Sequence, residues 1–135
     1  MLIAGIYSSP GLAVQSPGPD DEFVVLVHGG SEPADIAGWS LTNRKRDQVD
    51  HYRYLFPRFL SNGDPWICEP GGLVVVHTGR GRNSGTASRG ESRQFHLFQH
   101  RTTRVWADPG DVACLYDRSG RLIAFWELPV VPYHN

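Results

Sequence analysis

Pro70-Gly71-Gly72-Leu73-Val74-Val75-Val76-His77-Thr78 places a turn directly in front of an unbroken run of β-branched residues. Proline presets φ and glycine supplies conformations that a Cβ forbids, so Pro-Gly-Gly suits a reversal of the chain. The run behind it has no polar face, which marks a strand largely buried on both sides. The same grammar extends outward in both directions. Period-2 patterning gives strands at Leu2–Ser8, Glu22–His28, Trp39–Asn43, His51–Phe56, Leu73–Thr78, Gln94–Phe98, Val112–Tyr116 and Leu122–Glu127. Breakers separate them: Pro10-Gly11, Pro17-Gly18-Pro19, Gly29-Gly30, Asn62-Gly63-Asp64-Pro65, Pro109-Gly110 and Ser119-Gly120. Asp117-Arg118-Ser119-Gly120 reads as a tight hairpin connection. No window shows a clean 3.6-residue period, so the fold class is all-β, a sandwich or a barrel.

At 135 residues the chain suits one domain over 1–135, with its core in about 2–127 and a short C-terminal tail. Fifteen glycines and ten prolines fit frequent turns, and a net charge of −1 gives no global attraction for nucleic acid or membrane. The charge is unevenly spread. Residues 1–42 hold five acids and no Lys or Arg, while 43–104 hold eleven basic residues against five acids. Cys68 and Cys114 form no framework; a single disulfide and a pair of buried thiols both remain open. The apolar start Met1–Ile6 lacks a basic lead and is too short for a signal peptide, and no apolar run spans a bilayer. As written, the product is expected in the cytoplasm, or outside the cell if the chain is an excised domain.

A set of motifs then follows in order. Glu22–Gly30 precedes Asp35-Ile36-Ala37-Gly38-Trp39-Ser40-Leu41-Thr42; Tyr52-Arg53-Tyr54-Leu55-Phe56-Pro57 precedes Pro70–Gly81; Val105-Trp106 and Gly110-Asp111-Val112-Ala113-Cys114-Leu115-Tyr116-Asp117 close the series. This order resembles the lamin-tail domain, the immunoglobulin-like globular domain of nuclear lamins that also occurs in prokaryotic proteins. The resemblance spans about residues 2–127 and implies an immunoglobulin-like β-sandwich of about eight to nine strands. It also implies an accessory binding or assembly module without catalysis of its own. Trp39, Trp106 and Asp111 read as scaffold: large rings anchoring two sheets, and an Asx residue holding a turn.

Two departures from the family pattern stand out. A polar or acidic residue is usual where Val25 stands, and Asn is common where His28 stands. With Val24 and Leu26 facing the core, period 2 sends Phe23, Val25 and Val27 to the opposite face. That face is either covered by the loop 9–21 or presented to a partner. The second departure is the insertion Ser61–Glu69, whose Trp66 is either tucked onto the sandwich or offered to a partner.

Signatures of chemistry come close and fail. Gly79-Arg80-Gly81-Arg82-Asn83-Ser84-Gly85 resembles a phosphate-cradling loop, but Ser84 replaces the last glycine and no helix follows. His96 and His100 have helical ligand spacing, yet on a strand they lie ~13 Å apart. His28 and His77 approach only if their strands are neighbours. No catalytic residue, cofactor or metal is therefore expected, and no small-molecule substrate is evident. The expected role is protein–protein contact or self-association through Phe23, Val25, Val27 and Trp66, or through an open sheet edge. The alternative is nucleic-acid or polyanion binding through Arg80, Arg82, Arg89, Arg93, Arg101 and Arg104, which should weaken steeply with salt.

Overall fold

The computed structural model describes residues 1–7, 22–44, 50–87, 93–103, 105–106 and 111–127. Nine strands are present among them: β1 (Leu2–Tyr7), β2 (Phe23–Val27), β3 (Ser40–Arg44), β4 (Asp50–Leu55), β5 (Leu73–His77), β6 (Ser84–Ala87), β7 (Arg93–Phe98), β8 (Val112–Tyr116) and β9 (Leu122–Glu127). Eight coincide with the strands read from period-2 patterning, to within a residue or two at their ends. The ninth, β6, carries Ser-Gly-Thr-Ala and no apolar alternation. It is a strand because β7 offers it an antiparallel ladder, from Ser84 opposite His96 to Ala87 opposite Arg93. Gly85 lets the two strands close up, since a Cβ there would stand 2.8 Å from the Phe95 ring.

The strands form a five-stranded sheet in the order β1-β2-β5-β7-β6 and a four-stranded sheet in the order β4-β3-β8-β9. All neighbours are antiparallel except β5 and β7. Val24, Leu26, Val74, Val76, Phe95 and Leu97 of the first sheet meet Leu41, Ala113 and Leu115 of the second in one apolar core. Each buried Val, Leu or Phe among them contributes about 1.5–3 kcal/mol. β5 lies at the centre of its sheet with Val74, Val75 and Val76 all buried, which is why its sequence shows no polar face.

A buried polar brace ties the loop at Val105-Trp106 to the rest. Glu22 is fully buried, and its carboxylate accepts the backbone N–H of Val105 at 2.7 Å, that of Trp106 at 3.1 Å, and the Thr78 hydroxyl at 3.1 Å. From the other side, the Asn43 amide donates to the Val105 carbonyl at 3.1 Å and to Asp111 at 2.8 Å. Asp111 is thus tied to Asn43 on β3.

Three of the four end strands share one property. The register of β1 slips at Ala4, that of β4 between His51 and Tyr54, and that of β9 at Ile123; in each case the extra residue sits on the end strand. On β4 the slip places Tyr52 at φ 47°, a left-handed conformation uncommon outside glycine. The fourth end strand, β6, is described over Ser84–Ala87. Bulges are a device by which sheets discourage pairing with another chain.

Candidate functional site

The insertion 61–69 is pinned rather than loose. Leu60 N–H donates to the Asp64 carbonyl, Ala34 and Cys68 exchange two backbone bonds, and Phe59 bridges Pro65. Alternation then decides which side chains point where. Trp66 is only 3% exposed, packs on Phe95 at 4.9 Å between ring centroids, and donates its indole N–H to the Pro57 carbonyl at 2.9 Å. Cys68 is buried on the same side, and burial pushes its thiol up to about 11, so it is protonated and unreactive at neutral pH. Cys68 and Cys114 are both buried and form no disulfide. Trp66 is therefore corrected from a possible partner contact to an anchor. Ile67, between the two buried residues, is the one turned outward.

Leu55, Pro57, Phe59, Pro65 and Ile67 line a groove of about 880 Å³. Leu55 is 64% exposed, Phe59 52% and Ile67 47%. Three large apolar side chains thus converge on one concavity whose backbone is tied in place. At its end, Arg118 donates through Nε and its terminal nitrogen to the Ala37 carbonyl at 3.1 and 2.7 Å and lies 3.5 Å from the Asp35 carboxylate. Gly38, at φ 78°, permits this crossing: a Cβ there would stand 3.2 Å from the guanidinium.

The other expected surface is less open. Phe23, Val25 and Val27 do turn away from the core, but all three are half-buried. The loop 9–21 proposed to cover them lies outside the described residues, apart from which the face is an ordered aromatic ladder. Phe23 stands opposite His77 and His77 opposite Phe98, with ring centroids 5.7 and 4.4 Å apart. His77 Nε2 lies 2.9 Å from His96 Nδ1. Burial, reinforced by His96, holds the His77 imidazole below the usual histidine range. Gly81 rests on this ladder, for a Cβ on it would fall 2.3 Å from the Phe98 ring. The glycine-rich stretch is thus a cover for a ring, and strand β6 follows it instead of a helix.

His28 and His77 are on neighbouring strands but at opposite ends. His28 bonds across to Gly72, whereas His77 stands opposite Phe23. Among the described residues no group of three or more His, Cys, Asp or Glu could hold a metal ion. No helix among them is long and apolar enough to cross a membrane.

Of the six arginines of the basic segment, Arg89 and Arg104 lie outside the described residues, and Arg93 is placed only through its backbone on β7. Arg80 and Arg82 are exposed. Arg101 is committed to packing: it donates to Gln99 at 2.9 Å and its guanidinium lies 5.1 Å from the Tyr52 ring centroid. A second arginine cluster went unread in the sequence. On the outer face of the four-stranded sheet, Arg44 donates to the Tyr116 hydroxyl at 2.8 Å and Arg53 approaches the same ring to 6.0 Å.

Two stacked β-sheets around one apolar core define an immunoglobulin-like sandwich. The lamin tail domain family matches residues 8–128, and the chain belongs to that family. No curated protein matches the chain.

Proposed function

We propose that the chain is a single non-catalytic protein-interaction module that holds a segment of a partner protein in the groove between Leu55, Phe59 and Ile67. The supporting observation is the convergence of those three exposed apolar side chains on a groove with a pinned backbone. Isolated exposed apolar residues are ordinary on protein surfaces, whereas contiguous ones mark interfaces. Partner addition to a sheet edge has less support, because three of the four end strands are bulged.

Quantitative co-purification tests the proposal, comparing the unaltered chain with Ile67→Asp and Phe59→Ser, and with Glu127→Ala as a control, an exposed position at the end of β9 away from the Arg118 turn. A partner recovered by the first and last but lost from the groove variants is the expected result. Equal recovery by all four removes the groove from the interface.

Polyanion binding is the second reading, supported by the exposure of Arg80 and Arg82. It predicts binding that falls steeply with salt and weakens in an Arg80→Ala, Arg82→Ala variant. Binding insensitive to salt removes it.

A further inference from the structure

The groove carries charge as well as apolar surface, and the charge is not balanced. It is bordered by Asp35, Arg118 and Arg58. Asp35 and Arg118 face each other at 3.5 Å, and Arg118 is further held by the Ala37 carbonyl. That acid is therefore already answered. Arg58 is exposed, and among the described residues it has no acidic partner and no hydrogen bond. One unspent guanidinium thus stands at the rim of an apolar trough.

Resting on the reading of this groove as a protein-docking site, we infer that its occupant is a partner segment carrying one or two bulky apolar side chains beside a carboxylate. The apolar side chains fill the trough over Leu55, Phe59 and Ile67, and the carboxylate pairs with Arg58. Guanidinium and carboxylate match through two parallel N–H···O bonds, a fit that a lysine or a neutral amide on the segment does not reproduce. A small apolar molecule is a poorer match. Sites for such ligands enclose most of the ligand surface, whereas the three walls here remain about half exposed, between 47% and 64%. A segment of chain lying along the trough covers them together.

A library of random short peptides displayed on phage, selected on the immobilised full chain, reads the preference directly. Selection on the Ile67→Asp variant serves as the subtraction. The expected motif pairs Leu, Ile, Phe or Trp with Asp or Glu. The winning peptide, labelled and titrated by fluorescence anisotropy, should bind about tenfold more weakly to Arg58→Gln, with an intermediate loss for Arg58→Lys. Arg58 is exposed, so the thermal midpoint of both variants should match that of the unaltered chain.

Enrichment of apolar motifs without an acid, or unchanged binding to Arg58→Gln, overturns the inference while leaving the groove a docking site. So does a dimer, seen by light scattering, that Ile67→Asp dissolves, because the occupant is then a second copy. No enrichment over the Ile67→Asp selection, together with a monomer, overturns both readings.

Discussion

Replacing Glu22 with alanine removes the acceptor on which the Val105-Trp106 loop depends. The carboxylate is fully buried and takes the backbone N–H of Val105 at 2.7 Å and that of Trp106 at 3.1 Å. The Thr78 hydroxyl, also bonded to it, can turn elsewhere; the two amides cannot. A buried donor left without a partner costs about 1–3 kcal/mol. Two of them put the loss at about 2–6 kcal/mol, against a total stability of about 5–15 kcal/mol for a domain of this kind. Glu22→Gln keeps one oxygen but turns an NH₂ toward a neighbouring N–H, so about half that loss is expected. Urea unfolding followed by far-ultraviolet circular dichroism measures both, with an unchanged m-value showing that the unfolded state is not altered. Hydrogen exchange should show the amides of Val105 and Trp106 losing protection first. An alanine variant within about 1 kcal/mol of the unaltered chain, with those two amides still protected, refutes the brace.

Trp66→Ala should cost about 3–5 kcal/mol in urea unfolding, while Ile67→Asp one position on should stay within about 0.5 kcal/mol; similar losses for both contradict their assigned faces. Gly81→Ala drives a methyl into Phe98 and should cost about 1–3 kcal/mol; the same change in a Phe98→Ala background should cost little, and an equal loss in both places the strain elsewhere. Thr42 is fully buried and its hydroxyl has no partner among the described residues, so the isosteric Thr42→Val should raise the urea midpoint; a lowered midpoint shows that the hydroxyl is used. Because the folded state holds His77 below its ordinary value of 6.5, the unfolded chain takes up the proton first. The contribution of His77 to stability is thus complete above that value and is lost as pH falls below it. His77→Gln should flatten this slope in urea midpoints, and an unchanged slope assigns it to other groups.

Most of the sandwich could be read along the chain because its strands announce themselves locally. Leu73–Val76 and Val112–Tyr116 carry their apolar pattern between clear breakers. β6 could not be read this way, since Ser84-Gly85-Thr86-Ala87 becomes a strand only through the neighbour it finds. Within the insertion, Trp66 could face the core or a partner by sequence; it is buried, and Ile67 is exposed. The alternation of Trp66, Ile67 and Cys68 held the answer, but it needed a core side to be assigned before it could be used. The groove gave no signal of its own, because Leu55–Phe59, Pro65–Ile67 and Arg118 meet only in the folded chain. Glu22 follows Asp20-Asp21 in the sequence, and nothing local marks it as buried. Its partners stand 83 and 84 residues further on.

The bulges at Ala4, Tyr52 and Ile123 bear on how such a module is deployed. Copies tethered along one polypeptide, or crowded on one scaffold, meet at millimolar effective concentrations. Under those conditions a straight, open sheet margin would knit neighbours into a continuous ribbon. With three of the four margins kinked, copies can be strung side by side and remain separate beads. Straightening one margin, by deleting Ala4 for example, should turn a well-behaved bead into a sticky one while leaving the core untouched.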